Sequence, residues 1–308
     1  MKILVAEDDV VTRHLLELSL KRWSYEVVST ADGPQAWEIL RQTDGPRLAI
    51  LDWMMPGTDG LEICRKVRQF PDERYVYALL LTSKTQKADV LEGFEAGADD
   101  YLLKPLDLAE LRARLRTGHR IVELHSQLIE ARESLRQQAT HDALTGLYNR
   151  GAILDILGRE LIRCRRQAQS LTLLLADLDF FKHINDRFGH LTGDIVLRET
   201  ARRIRSVVRP YDSVGRYGGE EFIIVAPSCE SGCSLGLAER IRNAVGSEAI
   251  LTPDGPVVVT LSVGAAAVSG VDIPTPDSLI RAADISLYQA KQEGRNTSRM
   301  TGGRGEEA

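Results

Sequence analysis

Residues Gly215–Ile223 read GRYGGEEFI. Strand candidates SVGRY (213–217) and EFIIVA (221–226) flank two glycines and two glutamates. Gly218–Gly219 therefore reads as a two-residue hairpin loop, using the positive φ angles that glycine adopts freely. A turn alone does not explain Glu220 beside Glu221, since adjacent carboxylates repel. A divalent cation removes that cost, and a backbone cleared of side chains lets a phosphate come close.

Upstream, LTLLLADLDFFK (171–182) is an apolar strand with Asp177 and Asp179 near its end. The two acids share a face by the two-residue period, unless the strand ends between them. Lys182 follows closely enough to meet a phosphate. HINDRFGHLTGD (183–194) then replaces apolar residues with polar ones and glycines, and reads as a ligand-facing loop. It carries Asn185, Asp186, His190 and Asp194; helix capping for the two aspartates and a structural role for His190 stay open. Asp177, Glu220 and Glu221 together supply the carboxylates of a two-metal phosphoryl-transfer site. VVVTLSVGAAAV (257–268) is a further strand, and helical patterns lie near 151–168, 191–208, 232–246 and 277–293. TPDGP (252–256) marks a turn, and Thr275–Pro276–Asp277 a helix cap followed by proline.

The first 105 residues differ. KILVA, LAILD, ALLLT and DYLLK are mostly apolar without alternation, as suits parallel strands covered on both faces. Helical patterns near 11–22, 34–42, 59–69 and 86–96 separate them. The repeat implies a doubly wound α/β sheet. Glu7, Asp8, Asp9, Asp52, Thr82 and Lys104 then stand at carboxyl ends of strands, the edge where such sheets bind ligands. Clustered carboxylates suit Mg²⁺; the alternative is that each acid caps a helix.

Residues 107–139 hold no proline and one glycine, Gly118. Ile121, Leu124, Leu128, Ala131, Leu135 and Gln138 form a short heptad seam. It fits a helix packed on its own domain or a parallel two-stranded connector; its place between domains favours the connector. The expected division is 1–120, a helical coiled-coil linker at 121–139, a second domain at 140–300 and a disordered tail at 301–308.

A net charge of −5 argues against a nucleic-acid-coating surface. No apolar run approaches a membrane span, and the acidic MKILVAEDD start is no signal peptide. Cys64, Cys164, Cys229 and Cys233 are expected as reduced thiols, and a cytoplasmic location follows.

Two resemblances sharpen these readings. AEDD, LDWMMPGTDG, LTS and DYLLKP occur in the order of response-regulator receiver domains. That likeness implies a five-stranded sheet, phosphorylation of Asp52 by a cognate histidine kinase, and one Mg²⁺ held by Asp8, Asp52 and the Met54 carbonyl with Glu7 assisting. Thr82 and Lys104 would grip phosphoryl oxygens, and Tyr101 would be an aromatic switch. Glu7 stands where many members have aspartate.

DALTGLYNR, DLDFFKHINDRFGHLTGD, RYGGEEF and SLYQAKQEGRN resemble the GGDEF domain of diguanylate cyclases, an α/β fold with a mixed, mainly antiparallel sheet. The signature has glutamate at its third position, and Ser286 replaces the usual alanine. The likeness implies condensation of two GTP to cyclic di-GMP by a homodimer, with two Mg²⁺ per active site. Asp177, the Leu178 carbonyl, Glu220 and Glu221 would bind metal, and Glu220 would help deprotonate the attacking hydroxyl. Asn185 and Asp194 would read guanine. Backbone around Phe180, Phe181 and Lys182, with Lys182, Lys291 and Arg295, would hold the triphosphate, and Gly218 and Gly219 would admit it. RPYD (209–212) matches the family's inhibitory product site, implying cyclic di-GMP at Arg209 and Asp212, with Arg240 as partner. The rivals are a catalytically weak cyclic di-GMP-binding response regulator, a DNA-binding regulator and a cyclase using ATP. No basic helix-turn-helix pattern supports DNA binding, and no membrane partner is expected.

Overall fold

The computed structural model describes residues 1–69, 74–83, 86–229, 231–269 and 274–300. The expected tail at 301–308 lies outside the described residues. The chain divides into two compact units, Met1–Ser134 and Leu135–Ala308.

The first unit runs β1 (Lys2–Ala6), α1 (Val10–Arg22), β2 (Glu26–Thr30), α2 (Gly33–Leu40), β3 (Leu48–Asp52), α3 (Gly60–Gln69), β4 (Tyr77–Thr82), α4 (Lys87–Glu95), β5 (Asp100–Leu103) and most of the long α5 (Leu108–Thr140). Its strands pair in the order β2-β1-β3-β4-β5, all parallel. Ile3 and Val5 pack to one face with Leu111 and Leu115, and Leu4 and Ala6 to the other with Leu61 and Ile63. Covering both faces is what makes these strands read as unbroken apolar runs. β2 escaped that reading because it is an edge strand of sequence EVVST, only partly buried. The capping alternative holds for Asp9, whose carboxylate accepts from the Thr12 N–H at 2.7 Å.

α5 is one continuous helix. Leu111, Leu115, Gly118 and Val122 are buried against the sheet. A Cβ at Gly118 would lie 2.4 Å from the Tyr77 ring, so glycine is what lets the helix approach this closely. Beyond, Ile121, Leu124, Leu128 and Leu135 are 37–65% exposed.

The second unit runs α6 (Arg150–Gln167), β6 (Ser170–Leu178), α7 (Phe181–Phe188), α8 (His190–Val207), β7 (Ser213–Gly218), β8 (Glu221–Pro227), α9 (Ser231–Gly246), β9 (Ile250–Thr252), β10 (Gly255–Val257), β11 (Leu261–Ser269), α10 (Pro276–Gln292) and β12 (Ser298–Met300). The main sheet has the order β12-β11-β6-β8-β7, with only β11 and β12 parallel. β6 is central and wholly buried, with Leu174 and Ala176 in one core cluster and Leu173 and Leu175 in another. Thr275 caps α10, accepting from the Ser278 N–H at 3.3 Å.

Four expectations need correction. The stretch 183–194 is not a loop: it forms most of α7 and the first turn of α8, separated at Gly189, whose φ is +82°. The hairpin loop is Gly219–Glu220, because Gly218 already pairs with Glu221; a bulge between Arg216 and Gly218 absorbs the extra residue, and only Gly219 needs a positive φ, +38°. VVVTLSVGAAAV is broken, with Val257 ending the β9–β10 hairpin and β11 starting at Leu261. Cys229 and Cys233 are joined in a disulfide, their Cα atoms 5.9 Å apart where the chain leaves β8 and enters α9; Cys64 and Cys164 are free and buried.

Candidate functional sites

At the carboxyl edge of the first sheet, Glu7, Asp8 and Asp52 place carboxylate oxygens within 4.8 Å of one another. Glu7 follows β1 and Asp52 ends β3, both buried, while Asp8 is exposed. Lys104, following β5 at a cis bond to Pro105, brings its Nζ to 2.8 Å from Glu7 and 3.0 Å from Asp52. Burial pushes the Glu7 carboxyl up to about 7, with Lys104 opposing and Asp52 reinforcing. Burial works against the Lys104 charge too, but its bonds to Glu7 and Asp52 outweigh that and leave its pKa raised. Such a pocket of buried acids around one ammonium fits a hard divalent cation, which would relieve their repulsion. Thr82 is buried at the end of β4, its carbonyl accepting from the Lys104 N–H at 2.8 Å. Tyr101 is half-buried between Phe94, 5.8 Å away, and the Arg114 guanidinium, 5.7 Å from its ring. The Met54 side chain is exposed.

In the second sheet, Asp177 and Glu221 are register partners across β6 and β8. The Leu178 N–H donates to the Glu220 carbonyl at 3.3 Å, tying the hairpin tip to the end of β6. Arg216 fixes the tip from behind: its guanidinium donates to the Gly219 carbonyl at 2.7 and 2.9 Å and reaches Asp142 at 3.2 Å. Lys291, from α10, lies 2.9 Å from Asp177. Burial raises the pKa of Asp177 against the pull of Lys291. Burial, then the Asp177 charge, raises that of Glu221. Two acids that resist ionising together make a strained pair that a divalent cation would stabilise.

The strand does end between Asp177 and Asp179, and only Asp177 faces the hairpin acids across the sheet. Phe180 follows with a left-handed φ of +57° and opens α7, where the first backbone N–H groups of the helix have no partner within it. Lys182 is exposed on that first turn, and the Arg295 guanidinium covers the Phe180 ring at 4.5 Å. Asn185 on α7 and Asp194 on α8 are both half-buried. Gly193 was not singled out from sequence: a Cβ there would lie 1.9 Å from Asn185 Oδ1. A glycine inside a helical pattern, one residue before a candidate acid, was the available signal. Ser286 is buried and donates to the Ala265 carbonyl at 3.1 Å, so its hydroxyl is satisfied within the domain.

Arg209 and Asp212 form the turn between α8 and β7. Asp212 accepts from the Arg209 N–H at 2.8 Å, and the Arg209 side chain donates to the Tyr211 hydroxyl at 3.0 Å. With Arg240, Leu237 and the Cys229–Cys233 pair they line a cavity of about 220 Å³. Arg240 is oriented by its bond to the Val207 carbonyl, 2.9 Å.

The family model "Diguanylate cyclase, GGDEF domain" matches residues 139–297, and the model "Response regulator receiver domain" matches 3–116. The chain belongs to the diguanylate cyclase family. It is a diguanylate cyclase carrying a receiver domain. The cyclase is 28% identical to the response regulator PleD of Caulobacter vibrioides, over 96% of this chain and 98% of that protein. It is 40% identical to the diguanylate cyclase DosC of Escherichia coli, over 58% of this chain and 38% of DosC. Among solved structures, the coiled coil and GGDEF domain of DgcB from Caulobacter crescentus in complex with c-di-GMP superposes with a TM-score of 0.56 at 33% identity, covering 62% of the cyclase and 99% of that chain. SiaD from Pseudomonas aeruginosa, in complex with its activator SiaC, gives 0.52 at 34% identity, covering 63% and 74%. GGDEF cyclases are generally Mg²⁺-dependent, and a receiver domain implies a phosphodonor kinase. Among the described residues no helix of the cyclase is long and apolar enough to cross a membrane.

Proposed function

We propose that the cyclase condenses two GTP to cyclic di-GMP and two pyrophosphates as a homodimer, under control of phosphorylation at Asp52 by a histidine kinase. The observation that carries the catalytic reading is the pairing of Asp177 with Glu221 while the Leu178 N–H holds the Glu220 carbonyl. That places a buried acid, a hairpin of acids and the N-terminus of α7 at one end of β6. Asp177, the Leu178 carbonyl, Glu220 and Glu221 would hold two Mg²⁺, which supply charge neutralisation for the triphosphate when bound. Lys291 already sits on Asp177 and is placed to move to a phosphate. Lys182, Arg295 and the α7 N–H groups at Phe180, Phe181 and Lys182 bind the triphosphate. Asn185 and Asp194 read the guanine edge, Asp194 accepting from its N–H groups. Gly218 and Gly219 leave the tip bare for the nucleotide, and Glu220 takes the proton of the attacking 3′-hydroxyl.

In the receiver, Glu7, Asp8, Asp52 and the Met54 carbonyl would hold one Mg²⁺. Lys104, within reach of Asp52, and Thr82 receive the phosphoryl oxygens, and Tyr101 follows as the switch. Arg209, Asp212 and Arg240 bind cyclic di-GMP as an inhibitor, supported by the cavity they share and by the fit of arginine's planar fork to guanine and phosphate.

Incubation of the purified protein with GTP and Mg²⁺, followed by identification of the nucleotide product, tests the reaction. Cyclic di-GMP from GTP and none of its adenine counterpart from ATP is expected; binding of cyclic di-GMP without synthesis would replace this reading with that of a sensor. An Arg209→Ala variant should escape product inhibition; undiminished inhibition would refute the inhibitory site.

A further inference from the structure

Asp179 is 4% exposed and stands one residue beyond β6. Its Oδ1 accepts from Ser262 Oγ at 2.6 Å, and its Oδ2 from Thr260 Oγ1 at 2.7 Å and from the Asn296 backbone N–H at 3.0 Å. Both oxygens are thus engaged, as a buried carboxylate requires. The bond to Asn296 stands out for what it holds. Gly294, Arg295 and Asn296 have φ of +110°, +65° and +46°. Consecutive left-handed residues other than glycine persist only where their surroundings impose the conformation. On one side the Arg295 N–H closes α10 onto the Ala290 carbonyl at 3.1 Å; on the other, Asp179 takes the next N–H. Between those fixed points the Arg295 guanidinium is delivered to the face of Phe180, itself left-handed at the start of α7.

We propose that Asp179 is a positioning residue: through the Asn296 N–H it sets the left-handed turn that holds Arg295 over Phe180, beside the backbone that receives the triphosphate. This rests on the reading above of Arg295 and the α7 N-terminus as the triphosphate site. Both Asp179 oxygens are engaged by donors of its own domain, whereas Asp177, two residues before it, faces Glu221 across the sheet and meets Lys291.

The test is a double-mutant cycle on the full-length protein, with affinities measured by calorimetry in Mg²⁺. The probes are 3′-deoxy-GTP, which lacks the attacking hydroxyl, and GMP, which lacks the β- and γ-phosphates. Arg295→Ala should weaken 3′-deoxy-GTP but not GMP; if it does not, the triphosphate reading itself fails. Asp179→Asn should weaken 3′-deoxy-GTP roughly ten-fold, leave GMP within about two-fold, and add little once Arg295 is alanine. Equal losses for both probes, or full additivity with Arg295→Ala, would overturn the positioning role while leaving the site intact. Thr260→Val, which keeps the carboxylate but removes one of its anchors, carries the same prediction in smaller measure should Asp179→Asn fold poorly.

Discussion

Neighbouring acids in this chain have unlike fates, and the difference lies in which groups reach them. Asp9 caps α1, while Glu7, two residues earlier, is buried against Lys104. Asp177 faces Glu221 across the sheet, while Asp179 is absorbed by hydroxyls and an N–H of its own domain. Sequence spacing brought all of them forward as candidates; it could not separate them, because the partners of Glu7, Asp177 and Asp179 lie 97, 44 and 117 residues away. The hairpin was legible for the opposite reason, since a turn is local structure, although it falls one residue later than read and takes in Glu220. The Glu220 backbone is held by the Leu178 N–H, so its side chain can be changed without loosening the tip. Glu220→Gln is expected to lower the rate of cyclic di-GMP formation by roughly 100-fold or more, with an unchanged melting temperature. A variant retaining near-parent turnover would remove Glu220 from the chemistry.

Elements were legible where their pattern was periodic and hidden where pairing was long-range. The four mostly apolar strands of the first sheet declared themselves, but the edge strand β2 did not, and α7 was masked by its polar residues. α5 shows how one glycine decides an element's placement. Gly118→Ala should gain about 1 kcal/mol in helix propensity, yet the new Cβ must enter the Tyr77 ring. Overpacking costs about 1–3 kcal/mol, so a net fall in the melting temperature of the receiver unit is expected; a rise would mean that α5 shifts freely. On α8, Glu199 accepts from Arg202 at 2.7 Å and from Arg203 at 2.9 Å, and Arg203 in turn donates to the Val245 and Glu248 carbonyls at 2.7 and 2.6 Å. The Arg202 bond first, with that from Arg203, holds the Glu199 carboxyl down at about 2. A depressed carboxylate contributes above its unfolded value, 4.5, and that contribution is lost as pH falls toward about 2. Glu199→Gln should therefore be less stable than the parent at neutral pH, by about 1 kcal/mol. The gap should close between pH 4.5 and 2; urea denaturation across that range would expose a gap that stays constant, which contradicts the assignment.

At the scale of the whole molecule, the chain presents one such hairpin tip and one α7 N-terminus, whereas the proposed product joins two nucleotides. In that proposed reaction the encounter of two active sites would be the step a regulator can govern. Ile121, Leu124, Leu128 and Leu135 remain exposed along α5, as a seam awaiting a second copy would. Phosphorylation at Asp52 would act by shifting the population of the paired state rather than by altering the chemistry. The rate of cyclic di-GMP formation across a range of protein concentrations, with and without beryllofluoride, tests this most directly in the parent and in Asp52→Asn. Beryllofluoride is expected to raise the parent's rate most at low protein concentration and to leave Asp52→Asn unchanged. A parent whose rate is indifferent to beryllofluoride at every concentration would contradict this.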